Sequence, residues 1–341
     1  MVPIVNSLSA DPMERTNIVT TKQILAALGS LTSSIFVLPM VRFFAGSEKA
    51  TGDALAAGYR MTNMVLGAAV ILILVICVFN VEEVIPPTVI EENNNIRKDM
   101  KKIFKNKYFV LLITYSFFYF WGYLGMMAAI QYHFTYIIGS TSAMSVAMSL
   151  MTAVPIPVMI LAAYLVSKGI GKAKLMIFGG IVDVAALVLM FFTSSATVTC
   201  VLIGIWAFGC AFRNCLMFAA FPDVYDYTEY EVGKSLAGTQ TAIMCFGSKV
   251  ASALASAVVS LLLVWANYDG KLLDSILASG GTVSDIASGY PSVVTAIRVA
   301  FIGLSIITTI VTIAVMLPYD LDKKFPEIQA ELDRRRKNGV K

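Results

Sequence analysis

Eight long apolar runs divide the chain, and most of the polar residues lie between them. Each run has about the 20 residues that an α-helix needs to cross a bilayer. Inside lipid a helix satisfies its own backbone hydrogen bonds, and the alternating segments of a membrane β-barrel are absent from the sequence. The pattern therefore predicts membrane helices near residues 20–45, 58–80, 108–131, 142–166, 175–194, 198–220, 239–266 and 292–317.

The composition agrees with this pattern. Of 341 residues, 57% are hydrophobic and only 14% are charged, which is unlike a water-soluble domain of this length. The sequence contains no phosphate-binding loop, nucleophile elbow or metal-ligand cluster, so it predicts neither an enzyme nor a cofactor. The five cysteines lie in or beside the apolar runs, without the spacing of a metal site or a disulfide framework.

Basic residues are concentrated at the two chain ends and in every second connection between runs. The opposite connections hold only Lys49 and Lys271, with Arg42 and Arg60 at the edges of helices. By the positive-inside rule this predicts a multi-pass protein of the plasma membrane with both termini in the cytoplasm. The net charge of +4 then reflects topology, and the predicted partner is the lipid bilayer and not nucleic acid.

Three ionisable residues fall near the middle of predicted helices, where charges are costly and are therefore functional candidates. At 1.5 Å per residue, Asp183, Arg213 and Lys249 all lie ~12–15 Å from a helix end. Equal depth on neighbouring helices predicts either an Asp183–Arg213 ion pair or an arginine that snorkels. Lys249 lies in the small-residue stretch GSKVASALASAVVS, which predicts that it faces a central polar cavity.

The stretch FPDVYDYTEYEVGK, residues 221–234, places four acids after the sixth apolar run. Asp223, Asp226 and Glu229 recur every third residue, so they share one face if the helix continues beyond the membrane. A solvated loop explains Glu231, which breaks the spacing. It explains the other three poorly, because acids contribute little to topology. The sequence therefore predicts a role for these three acids at the cytoplasmic end of the helix.

Two polar segments flank the last six runs. EENNNIRKDMKKIFKNK predicts a partly helical cytoplasmic linker, either solvated or acting as a hinge between bundles. LDKKFPEIQAELDRRRKN predicts a short surface helix with Ile328 and Leu332 on one face. The predicted organisation is two membrane helices in residues 1–80, a linker over 81–107, a six-helix bundle over 108–317 and a cytoplasmic tail over 318–341.

Several motifs resemble those of the glycoside–pentoside–hexuronide:cation symporter family. PDVYDYTEYEVGKSLAG and FGSKVASAL are similar to its acidic motif after helix ten and its lysine in helix eleven. SADPMERTNI is similar to its segment between helices four and five, and PYDLDKKFPEIQAELDRRR to its C-terminal tail. The resemblance covers essentially the whole chain. It implies an all-α integral membrane protein of the major facilitator type, in which two bundles surround a central path.

The resemblance also implies that the eight runs correspond to family helices five to twelve. Residues 1–80 are then a remnant of the N-terminal bundle, and the family's cation-binding and sugar-binding acids in helices one, two and four have no counterpart. We therefore expect a truncated form of a sugar:cation symporter that works by alternating access, with Na⁺ or H⁺ as the coupling ion. Two alternatives stay open, a non-transporting fragment and a lipid transporter of the same fold.

The same resemblance suggests residues that bind substrate. Lys249 occupies the family's lysine position and is expected to link cation and sugar binding. Asn214 and Tyr119 are further candidates for contact with the sugar, since a sugar ring stacks well on an aromatic face.

A cytoplasmic gate is implied as well. In the family fold the acidic motif faces the start of helix five in the other bundle, where Arg15 lies. We expect Arg15 to bind Asp223 and Asp226 when the path is closed to the cytoplasm, with Glu229 on the same face. Lys234 is a weaker candidate for this gate, because its spacing from the motif is one residue shorter than in the family.

Overall fold

The computed structural model describes residues 12–46, 52–80 and 96–337, and every regular element in these ranges is a helix. The helices are α1 Pro12–Ala45, α2 Gly52–Asn80, α3 Ile96–Lys105, α4 Lys107–His133, α5 Thr141–Ala153, α6 Pro155–Ser167, α7 Lys172–Phe191, α8 Ala196–Val232, α9 Ala237–Trp265, α10 Gly270–Ala278, α11 Val283–Gly289, α12 Pro291–Arg298, α13 Leu304–Met316 and α14 Leu321–Lys337. Single π-helical turns extend α4 over Phe134–Ile138 and join α12 to α13 over Val299–Gly303.

Within these residues, seven helical segments are long and apolar enough to cross a membrane. They confirm the predicted all-α, multi-pass architecture from the second run onward. The first predicted run lies in α1, where several side chains fall outside the described part of the structure, so its crossing stays a prediction. The span over Ser142–Ser167 consists of α5 and α6, which meet where Pro155 begins the second helix.

The core is a bundle in which α4 packs between α9 and α13, while α13 also contacts α7. The most extensive contact is between α7 and α8. It depends on a glycine at each side, because a Cβ at Gly209 would collide with the Asp183 carboxylate and one at Gly179 would lie 2.6 Å from the Gly209 carbonyl oxygen. Small residues let the two backbones approach closely around a polar group.

On the outside, α5 and α6 flank α8, α1 packs on α6 and α8, and α2 packs on α1.

One end of the bundle collects the predicted basic connections, and we call it the basic end. There α8 continues through Val232 and stops at Gly233, whose φ of +79° ends the helix. The tail helix α14 packs on α8 and buries Phe325, Ile328 and Leu332. The predicted apolar face of the tail therefore rests on protein.

The linker helix α3 lies at the same end. Its Ile103 is fully buried, and Asn106, the residue between α3 and α4, caps the start of α4. Thr228 on α8 receives hydrogen bonds from Asn106 Nδ2 and from Gln240 Nε2, both at 2.8 Å. The second half of the predicted linker is thus docked on the bundle.

Candidate functional site

Arg213 is the centre of a buried polar network that joins four helices. It projects from α8 and is only 4% exposed, while Asp183 on α7 is fully buried. Arg213 Nη1 donates to Asp183 Oδ2 at 2.5 Å and to Thr309 Oγ1 at 3.1 Å, and Nη2 donates to Thr312 Oγ1 at 2.9 Å. Its Nε donates to Tyr115 Oη at 3.4 Å. The charge is therefore paired, and each of the three guanidinium nitrogens donates at least one hydrogen bond, which helps to offset the cost of burying an ion pair.

An aromatic column runs beside this network. Tyr115, Tyr119 and Tyr123 recur every fourth residue on α4, so they share one face. Neighbouring rings are nearly parallel, with centroids 6.3 Å and 6.1 Å apart, and Trp206 on α8 continues the column 5.9 Å from Tyr123. The Arg213 guanidinium lies 5.1 Å from the centroid of Tyr119, within the range of a cation–π contact.

Two amide side chains connect this column to α1. Asn214 Nδ2 donates to Tyr119 Oη at 3.1 Å, and Gln23 Nε2 donates to Asn214 Oδ1 at 3.1 Å. One helical turn before Gln23, Thr20 Oγ1 lies 3.6 Å from Cys215 Sγ. These contacts form a polar bridge between α1, which belongs to the predicted N-terminal bundle, and the six-helix bundle.

The cavity beside the column is small. It is bounded by Tyr119, Tyr123, Trp206 and Arg213, together with hydroxyl groups of α13, and its volume is about 10 Å³. This is room for about one water molecule and not for a sugar ring. We call this arrangement, in which the cavity has no room for a sugar ring, the closed arrangement.

A second ion pair holds the acidic stretch of α8. Lys172, the first residue of α7, donates to Asp223 Oδ2 at 2.6 Å and to the Ala219 carbonyl oxygen at 2.9 Å. Both side chains of this pair are less than a tenth exposed. Asp223 is thus paired with a residue of its own bundle in this structure. The family resemblance, by contrast, implies a partner on α1 when the path is closed to the cytoplasm.

The other predicted gate residues are placed as follows. Lys234 donates to Asp99 Oδ2 of α3 at 2.7 Å, and its expected place in the gate stays a prediction. Asp226 is buried and Glu229 is half-buried on the same helix. The side chain of Arg15 lies outside the described residues, so its pairing stays a prediction.

Lys249 is exposed on α9 and makes no hydrogen bond or ion pair with the described residues. The structure does not bring it to Asn214, Tyr119 or Asp183. Its position in a central cavity stays a prediction.

The start of the tail forms a third charged cluster. Tyr108 Oη and Lys324 Nζ donate to the Asp320 carboxylate at 2.7 Å and 2.8 Å, and Lys107 Nζ lies 3.9 Å from it. The hydrogen bonds from Lys324 and Tyr108 lower the pKa of Asp320 to about 2. Asp322 Oδ2 accepts from the Ala173 backbone N–H at the start of α7, and burial raises the pKa of Asp322.

Several residues in these networks are not among the candidates of the sequence analysis, although the sequence carries a signal for them. Lys172 comes directly after a tight glycine-containing turn, which is a signal that it begins a helix. Thr309 and Thr312 are hydroxyl residues three apart in an apolar run, which is a signal for a polar partner on the facing helix. Gln23 gave the clearest signal that was missed, because it is an amide near the start of a membrane run.

Comparison with known proteins places this geometry in context. A family model described as MFS/sugar transport protein matches residues 1–323. The chain is 24% identical to the isoprimeverose transporter of Lactiplantibacillus pentosus over 335 residues, which are 97% of this chain and 66% of the relative. It is 23% identical to the inner membrane symporter YicJ of Escherichia coli (strain K12) over 279 residues, 77% of this chain and 55% of the relative. The chain spans less than two thirds of the length of these relatives.

Among solved structures, the chain is similar to FucP, a major facilitator superfamily transporter in the outward conformation. The TM-score is 0.61 at 11% sequence identity, and the match covers 91% of this chain and 71% of FucP. At this identity the likeness concerns the fold. The matched proteins are transporters and not enzymes, in agreement with the sequence.

Proposed function

Because the chain belongs to the MFS/sugar transport protein family and is similar to glycoside–pentoside–hexuronide symporters, we propose that it moves a sugar or glycoside across the plasma membrane. The proposed mechanism is alternating access coupled to Na⁺ or H⁺, with both termini in the cytoplasm. The observation that carries the proposal is the polar bridge, in which Gln23, Asn214 and Tyr119 join α1 to the six-helix bundle beside an aromatic column.

These groups suit a sugar. Planar amides donate and accept hydrogen bonds with hydroxyl groups, and a tyrosine ring offers a flat face for a sugar ring. The two 3.1 Å hydrogen bonds of the bridge can be exchanged for bonds to sugar hydroxyls. A sugar that binds between α1 and α8 then favours the open arrangement over the closed one by the difference between these two sets of contacts.

Lys249 is the proposed link between sugar binding and cation binding. It is a cation on the face of α9 that is left exposed by the described helices. We propose that this face lines the transport path in the working protein and that Lys249 links sugar and cation binding. Its proposed role does not depend on contact with Asp183, whose charge is already compensated by Arg213.

The gate takes a revised form. Since Asp223 is held by Lys172 within the bundle and Lys234 is held by Asp99, the proposed partner of Arg15 is Asp226. The Arg15–Asp226 pair would form when the path is closed to the cytoplasm and break when it opens. A switching contact of this kind contributes about 1–3 kcal/mol to the equilibrium between states.

Uptake by the purified chain in proteoliposomes tests the proposal. We expect uptake from a glycoside panel that includes isoprimeverose to depend on an imposed Na⁺ or pH gradient. Asn214→Ala should lower this uptake about tenfold or more, since it removes a group that bonds both Gln23 and Tyr119 and so costs 1.4 kcal/mol or more. The control is Ser149→Ala, because within the described part of the chain the Ser149 hydroxyl bonds only the backbone of its own helix.

Two results contradict the proposal. If the folded protein neither binds nor transports any glycoside of the panel, the chain is a non-transporting fragment. Transport of lysophospholipid instead of sugar would make it a lipid transporter of the same fold.

A further inference from the structure

The linker helix α3 has two chemically distinct faces. At ~100° per residue, Asp99 and Ile103 lie on one side of the helix and are buried against the bundle. The remaining, exposed face of the helix carries every basic residue of α3. These residues are Arg97, Lys98, Lys101, Lys102 and Lys105.

The only acid of α3 is turned away from this basic face. Asp99 is 8% exposed and its carboxylate is bonded to Lys234 at 2.7 Å. The exposed face therefore carries positive charges only. Lys101 and Lys105, one turn apart near its centre, form no ion pair with the described residues.

The depth of α3 is set by the membrane helices. Asn106 directly follows α3, caps α4 and donates to Thr228 on α8, which also accepts from Gln240 on α9. The end of α3 thus lies where three membrane-spanning segments meet the basic end. Phe104, at the edge of the basic face, is 49% exposed although its neighbour Ile103 is fully buried. An exposed aromatic ring beside lysines at this depth is typical of a helix that lies in the headgroup region.

We propose that the exposed face of α3 binds anionic phospholipid headgroups of the adjacent leaflet, with Lys101 and Lys105 as the main phosphate contacts and Phe104 inserted among the acyl chains. Clusters of four to eight basic residues directly beside a membrane helix attract anionic lipid in this way. The site is separate from the proposed sugar path, and it does not depend on transport. Its consequence is that the position of the linker depends on lipid composition.

The test uses the full chain in detergent, titrated with dihexanoyl phosphatidylglycerol or dihexanoyl phosphatidylcholine, with bound lipid counted by native mass spectrometry. We expect phosphatidylglycerol to bind more tightly. Lys101→Gln with Lys105→Gln should weaken its affinity about 30-fold, about fivefold for each lysine removed. Lys101→Arg with Lys105→Arg keeps the charge and should keep the affinity.

The matched control removes two exposed lysines from another connection of the basic end, Lys168→Gln with Lys174→Gln, and should change the affinity less than threefold. Phe104→Ser should weaken binding of both lipids. Equal losses in the Lys101/Lys105 and Lys168/Lys174 pairs would mean diffuse attraction by net charge and would overturn the site. Displacement of phosphatidylglycerol by an equal concentration of glycerol 3-phosphate would make it a site for soluble phosphate, which also overturns the proposal.

Discussion

The guanidinium of Arg213 and the carboxylate of Asp183 are bonded at 2.5 Å between α8 and α7, and both side chains are buried in the bundle. Two glycines, Gly179 and Gly209, allow the helices to meet at this level. The pair is therefore built into the most extensive helix contact of the described structure.

Neutralising one member of this pair should destabilise the bundle more than neutralising both. Asp183→Leu or Arg213→Met alone leaves an uncompensated buried charge, which costs about 3–5 kcal/mol. The double variant should cost no more than the worse single variant, so the two changes are not additive. Thermal unfolding of the purified variants in detergent measures this, with Thr152→Ala on α5 as a surface control. Additive losses would show that the two charges do not depend on each other.

Charge exchange distinguishes the structural pair at the basic end from the proposed gate. Exchanging Lys172 and Asp223, as Lys172→Asp with Asp223→Lys, should restore most of the stability that either single change removes, because both partners belong to one bundle. Exchanging Arg15 and Asp226, as Arg15→Asp with Asp226→Arg, should restore uptake and change stability little.

The cross combination is the control for this exchange. Arg15→Asp with Asp223→Arg should restore neither stability nor uptake, since Asp223 is bonded to Lys172. Restored uptake in that combination would return Asp223 to the gate. No restoration with Arg15 and Asp226 at normal expression would reject the gate altogether.

A cross-link between α1 and α8 should stop transport. Thr20 Oγ1 and Cys215 Sγ are 3.6 Å apart, so Thr20→Cys needs only a small adjustment to form a disulfide with Cys215. In a background with Cys77→Ala and Cys245→Ala, which removes the exposed thiols, oxidation should abolish uptake and reduction should restore it. Thiol labelling follows the cross-link, and Thr20→Cys with Cys215→Ala is the control. Full uptake by the cross-linked protein would mean that this contact does not open during transport.

Docking of the tail helix should weaken in acid through Asp320. The hydrogen bonds from Lys324 and Tyr108 lower the pKa of Asp320 to about 2, below its ordinary value of about 3.9. Because the folded-state pKa is lowered, the stabilising effect is fully present above about pH 4 and is lost as the pH falls through about 2. Burial raises the pKa of Asp322, which acts in the opposite direction, so the effect must be isolated by substitution.

Hydrogen exchange of residues 321–332 between pH 5 and pH 2, corrected for intrinsic rates, measures tail docking. The wild-type chain should lose protection over this range, whereas Asp320→Asn should start with less protection and show a flatter profile. Glu327→Gln changes an exposed acid of the same helix that forms no ion pair with described residues, and it should behave as wild type. Identical profiles for the wild type and Asp320→Asn would remove Asp320 from the docking of the tail.

The membrane helices could be predicted because the bilayer imposes a length and an apolar composition that are visible in one sequence. A contact between Asp183 and Arg213 could also be expected from the sequence, since two opposite charges at equal depth in lipid have few other partners. Sequence could not decide between that pair and a snorkelling arginine, because the choice depends on Thr309 and Thr312 of α13, which accept further hydrogen bonds from Arg213.

The partners at the basic end were harder to predict. Near water, many charges lie at similar depth, and only the tertiary packing selects among them. Asp223 was assigned to α1 by resemblance, but it faces the first residue of α7 because Ala219 and Asp223, one turn apart on α8, both accept from Lys172. Lys234 is a candidate for the same gate, and in this structure it bonds Asp99 of α3, a contact that no sequence pattern indicates.

The length of α8 has a mechanical consequence. Residues 221–232 extend ~18 Å beyond the predicted apolar run at 1.5 Å per residue, and this extension carries both the tail helix and the anchor of the linker helix. A tilt of the bundle in the membrane therefore also displaces both of these segments. Conversely, a binding partner that holds either segment in place opposes the tilt of the bundle. A molecule that binds this end from the aqueous side would therefore hinder movement of the bundle without entering the path between the helices.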